Sequence, residues 1–288
     1  MNNKPCSSED SVSLNLKFVR HAEKTRNKDE YPLTIEGQNK AKELWEVLWW
    51  SVVASSPVER AQLTASYLSN PNAENNLGFK EHQAIKRENN APRVRTVKEI
   101  WFNMWKSWDA FYEDCMAAYK NNALSRFYIE ESDKYLEKDP TLSTYTTVAW
   151  NFAELILKYC EMRNKADDIR DRKQLKNFNI SKEVNRLFVS HGWTLEFLLY
   201  KVIEDKEWRE WLLKFIEENH LEMQVNYLEW YNVKITKWEE NEDGTFKNKI
   251  ELEFRGKKYE ITEDFLNKLV NDRDELLGKK ASDGESKE

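Results

Sequence analysis

The chain has 288 residues, 40% hydrophobic and 33% charged, with both signs interleaved and a formal net charge of -6. That length holds one large domain or two small ones with a sizeable core. The acidic balance excludes a general nucleic-acid binder, which would be basic, but leaves room for a small anionic substrate in a locally positive pocket. No apolar run reaches membrane length and no signal peptide is read at the start, so no membrane association is expected. Cys6, Cys115 and Cys160 have neither metal nor disulfide spacing. They point to reduced thiols and a cytoplasmic setting.

Residues 1–13 read as a loose polar arm. Leu14, Leu16, Phe18 and Val19 then make an apolar run that stops at Arg20-His21. A buried strand ending in these residues delivers two polar groups to one edge of a sheet, where open α/β sheets bind ligands. After a polar loop, Thr34 reads as the N-cap of a helix with Ala41, Leu44, Val47 and Leu48 on its apolar face. Trp49 to Ser56 reads as a short strand. Ser56, Pro57 and Glu59 read as a capping box, which puts Arg60 in the first helical turn.

Residues 70–93 read as loop and 93–97 as an edge strand. Helical patterns run to about residue 138, where Asp139-Pro140 breaks them. Thr141 or Ser143 then caps a helix to about Met162, and residues 163–182 read as polar loop or exposed helix. Arg186 to Ser190 is a second buried strand, ending at His191-Gly192, with a helix from Trp193 to Ile203. Three strand–helix junctions thus carry Arg20, His21, Arg60 and His191. Asn232–Trp238 and Lys249–Phe254 alternate as strands around the turn signal Asn241 to Gly244. Lys257–Ile261 adds a strand and Phe265–Leu277 a helix; residues 278–288 read as a disordered tail.

These elements predict an α/β fold: a three-layer α/β/α arrangement with a mostly parallel central sheet and a C-terminal β-hairpin. A single domain spans 14–277. Residues 105–147 exceed what its core needs and are expected to form a helical lid over the C-terminal edge of the strands.

The order of motifs resembles the histidine phosphatase superfamily, in its phosphoglycerate-mutase-like branch (branch 1). Arg20-His21-Ala22 is similar to the family's Arg-His-Gly. Asn27, Pro32-Leu33-Thr34, Gly37 and Ala41 look like its next elements. Ser55-Ser56-Pro57-Val58-Glu59-Arg60-Ala61-Gln62-Leu63-Thr64-Ala65 is the most specific likeness. Glu99 to Trp105 resembles the segment carrying the family's acid, and Ser190-His191-Gly192 the second histidine. Ala22 stands where glycine is usual, and Asn103 and Lys106-Ser107 depart from the acid segment.

The resemblance implies a phosphoryl-transfer site. His21 would be the nucleophile, forming a phosphohistidine. Arg20 and Arg60 would fork onto phosphate oxygens, His191 would add a cationic donor, and Asn27 an amide donor. Glu99 would protonate the leaving oxygen. The set calls for no cofactor and no metal. The expected partner is a small phosphorylated substrate, with no nucleic acid and no membrane; a homo-oligomeric state stays open. A metal-independent phosphomonoester hydrolase is the favoured reading. A phosphoglycerate-type mutase and a non-catalytic phospho-ligand or protein-binding module are the alternatives.

Overall fold

The computed structural model describes residues 11–25, 32–47, 52–69, 94–97, 100, 110–139, 141–174, 182–240 and 246–276. In chain order these form β1 (Ser13–Arg20), α1 (Ile35–Val47), β2 (Val52–Ser55), α2 (Glu59–Ser69), β3 (Arg95–Thr96), α3 (Ala110–Lys120) and α4 (Leu124–Glu131). After a 3₁₀ turn come α5 (Tyr145–Gln174), β4 (Glu183–Ser190), α6 (Thr194–Lys206) and α7 (Arg209–Glu218). The chain closes with β5 (Trp230–Glu240), β6 (Phe246–Phe254), β7 (Lys257–Ile261) and α8 (Glu263–Leu276).

The strands make one seven-stranded sheet in the order β3-β2-β4-β1-β5-β6-β7. The first four are mutually parallel, and the last three run antiparallel. The C-terminal hairpin is therefore not an appendage. β5 pairs along β1 from Val19↔Trp230 to Leu14↔Ile235 and extends the same sheet.

Side chains of a strand alternate between its faces. Leu14, Leu16, Phe18 and Phe188 join a core shared with α5, α6 and α8. Val19, Val53, Leu187 and Val189 join the opposite core, with Ala41 of α1 and Ala61, Leu63, Ala65 and Leu68 of α2. The three-layer α/β/α expectation is met. At the centre, Phe18 stacks on Phe188 at 4.8 Å and on Tyr231 at 5.1 Å, its register partners on either side.

Two boundaries differ from the sequence reading. α5 starts at Tyr145 and is capped by Thr144, not by Thr141 or Ser143: Val148 N–H donates to the Thr144 carbonyl at 3.1 Å, and Thr144 N–H to Thr147 Oγ1 at 2.8 Å. The helix also runs on to Gln174 through the stretch read as polar. Two of its charges are partnered: fully buried Arg163 pairs with Asp167 at 2.8 Å and donates from Nε to the Val12 carbonyl at 3.2 Å. Asp167 in turn accepts Val12 N–H at 2.7 Å. That clip ties the start of β1 to α5, which apolar periodicity could not reveal.

The segment expected as a lid is helical in α3 and α4. Tyr128 packs on Phe197 and Trp193 at 4.8 and 5.9 Å, at the turn where β4 hands over to α6. Ser125 donates from N and Oγ to the carbonyls of Glu222 and Leu221. α4 thus sits on the carboxyl-end side of the sheet, against the loop that enters β5.

Candidate active site

β1 and β4 are parallel neighbours in register, and both end at the same level. Arg20-His21 and His191 therefore emerge side by side, and β2 delivers the Ser56 turn next to them. The His21 and His191 rings lie 5.2 Å apart. Arg60 reaches in from the first turn of α2, with Nε donating to His21 Nε2 at 2.9 Å. The four residues expected to meet do meet. Asn27 and Glu99 lie outside the described residues.

The His21 hydrogen bonds select one tautomer. Nδ1–H donates to the Ala22 carbonyl at 2.7 Å, and Nε2 accepts from Arg60. The Nε2 lone pair then faces Arg60. Burial holds the His21 ring well below the ordinary histidine range, helped by His191, Arg60 and Arg20; the Ala22 carbonyl opposes this weakly. At neutral pH His21 is an uncharged base. Burial also lowers His191, followed by the charges of Arg60, Arg20 and Lys24. A phosphate dianion among these groups would reverse the charge effects and favour a protonated His191.

His191 Nε2 lies 2.7 Å from Ser56 Oγ. This corrects the capping-box reading of Ser56. α2 begins at Glu59, and the Val58 carbonyl accepts the N–H groups of Ala61 and Gln62. Ser56 Oγ keeps only a 3.4 Å contact to Val58 N and serves the histidine instead. Arg60 still falls in the first turn, because the helix started only three residues after Ser56.

Arg20 is 5% exposed, and its Nη1 donates to the Val225 carbonyl. Lys24 stands exposed at the rim, on a turn bridged to Leu33. Burial and then the charges of Arg60 and Arg20 lower it from the usual lysine value. Among the described residues none of these three cations forms a carboxylate ion pair. In a chain of net charge -6, such a cluster can receive an anion.

The turn after His21 is locked onto α1. Thr34 caps that helix as expected, its Oγ1 accepting Gly37 N–H at 2.9 Å, and Thr34 N–H donates to the Glu23 carbonyl at 3.0 Å. A Cβ on Gly37 would stand 2.7 Å from the Glu23 carbonyl oxygen and 2.9 Å from its nitrogen. Gly37→Ala should therefore push α1 off the His21 turn and destabilise the fold by about 1–3 kcal/mol. A thermal melt checks this; an unchanged Tm would show that the approach relaxes freely.

Behind Arg20 lies a carboxyl that sequence reasoning missed. Glu196 is 1% exposed and accepts the Val225 N–H. Burial pushes it up to about 7 from the ordinary 4.5, against the lowering effect of Val225 N–H, its own backbone N–H and Arg20. The folded state thus holds more protons here than the unfolded state between those values, so this group's contribution falls as pH rises through that window. Glu196→Gln should remove that slope: its stability relative to the wild type should improve from pH 5 to pH 8. A constant difference across that range would refute the assignment.

Tyr227 was missed as well. Arg20's guanidinium stacks on its ring at 3.8 Å, and the ring lies 5.7 Å from His21. A tyrosine in a polar turn carries no sequence signal; only the pairing of β5 with β1 brings it here.

One comparison bears directly on this geometry. Residues 16–119 match the family model of the histidine phosphatase superfamily, branch 1. The superfamily match takes in Arg20, His21, Ser56 and Arg60 and ends before His191. No curated protein matches the chain. Solved structures with a similar fold include the mycobacterial glucosyl-3-phosphoglycerate phosphatase, 15% identical, covering 77% of this chain and 91% of that one at a TM-score of 0.45. Mycobacterial hydrolase 2 is 14% identical over 91% of this chain and 98% of its own, with a TM-score of 0.48. The phosphoglycerate mutase from Plasmodium falciparum is 12% identical over 85% and 92%, with a TM-score of 0.34.

Proposed function

We propose that the chain hydrolyses phosphomonoesters through a phosphohistidine on His21, without a metal. The observation that carries this reading is the Nε2 of a buried, neutral His21 facing the unneutralised guanidinium of Arg60 at 2.9 Å. A substrate phosphoryl group entering there takes over the Arg60 donor, and Arg20, Arg60 and His191 hold its non-bridging oxygens. The Nε2 lone pair forms the N–P bond in line as the P–O bond to the leaving group breaks. The Ala22 carbonyl holds Nδ1–H and steadies the positive charge that develops on the ring. Glu99 is proposed to give the leaving oxygen its proton. Water then attacks phosphorus as the N–P bond breaks, its proton returning to Glu99, which releases phosphate and restores neutral His21.

Arg20 and Arg60, joined by His191 once a bound phosphate dianion favours its protonation, supply the charge that a metal would otherwise bring. Activity on nitrophenyl phosphate should survive excess chelator, and vanadate should inhibit by mimicking five-coordinate phosphorus. Loss of activity in chelator with recovery on adding a divalent ion would contradict the reading. Glu99→Gln tests the acid: alkyl phosphates, with basic leaving oxygens, should slow about a hundred- to ten-thousand-fold, and nitrophenyl phosphate much less. Equal losses would assign Glu99 to positioning. Release of inorganic phosphate from an alkyl ester in a single turnover separates hydrolysis from a mutase, which returns the group to substrate.

A further inference from the structure

We infer that Tyr227 is a positioning residue of this pocket, its ring face clamping the Arg20 guanidinium and walling the site beside His21. The inference rests on the phosphate-pocket reading above. Arg20 is gripped by one loop. Its backbone N–H donates to the Glu229 carbonyl at 3.0 Å and its carbonyl accepts Leu228 N–H at 3.2 Å. Its Nη1 donates to the Val225 carbonyl. Its Nε–H is buried without a protein partner. Hydrogen bonds therefore tie one end of the guanidinium and leave its plane free to turn. The Tyr227 ring, stacked 3.8 Å from the guanidinium carbon, fixes that plane.

The loop is built to hold the ring there. Glu229 accepts Asn226 N–H at 2.8 Å and both Nε and Nη2 of Arg255, at 2.6 and 3.0 Å. Glu196 accepts Val225 N–H, and Trp193 Nε1 donates to the Met223 carbonyl at 2.7 Å. Leu228, next to Tyr227, sits at φ +60°, a left-handed conformation costly for a branched side chain. Such strain persists where neighbours over-determine it, as two backbone hydrogen bonds to Arg20 do here. Tyr227 itself is 36% exposed between the buried Val225 and Leu228. Core packing does not explain a large ring left at the surface. Contact with Arg20 and His21 does.

The test is orthovanadate binding by calorimetry to the full chain as wild type, Tyr227→Ala, Tyr227→Leu and Tyr227→Phe, with a thermal melt of each. A cation–π contact of about 0.5–2 kcal/mol corresponds to roughly two- to thirty-fold in affinity. Tyr227→Ala and Tyr227→Leu should both weaken vanadate within that range, and raise KM for nitrophenyl phosphate alike, without a matching fall in Tm. Tyr227→Phe keeps the ring and should restore wild-type affinity. If the alanine variant does not fold, the leucine and phenylalanine variants carry the same comparison. Wild-type affinity in Tyr227→Leu, or Tyr227→Phe as weak as Tyr227→Leu, would overturn the clamp. A wild type that binds no vanadate would overturn the pocket reading itself, and the clamp with it.

Discussion

His21→Ala should lower phosphomonoester turnover by at least about a thousand-fold, the scale on which removing a covalent nucleophile acts, while the protein stays folded. The expectation follows from the state of the ring. Nδ1–H is tied to the Ala22 carbonyl, Nε2 accepts from Arg60, and burial, with His191, Arg60 and Arg20 beside the ring, keeps it unprotonated. No other described side chain offers phosphorus a lone pair at that position. The Ser56 hydroxyl, on the turn after β2, is engaged with His191 at 2.7 Å. His21→Gln keeps some volume and polarity but supplies no nucleophile, and should be as inactive as the alanine variant. Near-wild-type rates in either variant, with a normal melt, would remove His21 from the chemistry.

Arg60→Ala has the next largest expected effect, because Arg60 serves both the phosphoryl oxygens and the His21 lone pair. Losing one donor to developing negative charge costs about a hundred- to a thousand-fold. Arg60→Lys should recover little of this, since an ammonium cannot present the guanidinium fork. The two variants separate in their pH profiles. Burial is the first cause of the low His21 value, and the Arg60 charge is among the others. Without that charge the His21 value climbs back towards the ordinary 6.5, so His21 is protonated, and disabled, at higher pH. The acidic limb of kcat/KM should therefore move to higher pH in Arg60→Ala and stay close to wild type in Arg60→Lys. An unmoved limb in Arg60→Ala would mean that the two groups do not communicate.

The part of this site legible in sequence is the part carried by strand ends. Apolar runs that break at Arg20-His21 and at His191, and a strand-to-helix turn bearing Arg60, place those residues at one sheet edge by topology alone. The same alternation located the layers, and the hairpin signals located β5 to β7 to within a few residues. What stayed hidden was set by contacts between distant segments. In the stretch read as loop or exposed helix, Arg163 is buried in α5 and, with Asp167, clasps Val12. Ser56 looked like a cap because its spacing to Glu59 suited one, yet His191, 135 positions away, claims its hydroxyl. Tyr227 and Glu196 enter the site only through the loop that grips Arg20. No local pattern marks that loop, and its one oddity, the left-handed Leu228, falls on a residue type that sequence rules would never place there.

The most direct test of the account is to trap the phosphoenzyme. The full chain is mixed with excess nitrophenyl phosphate, quenched in alkali within the first turnovers, and mapped by mass spectrometry under conditions that preserve phosphoramidates. The account predicts one phosphoryl group, acid-labile and alkali-stable, on His21, absent from His21→Ala and stoichiometric in a variant slowed in the hydrolytic step. Turnover through a phosphoryl group on any other residue, or steady phosphate release with no covalent phosphoryl group at any time point, would contradict it.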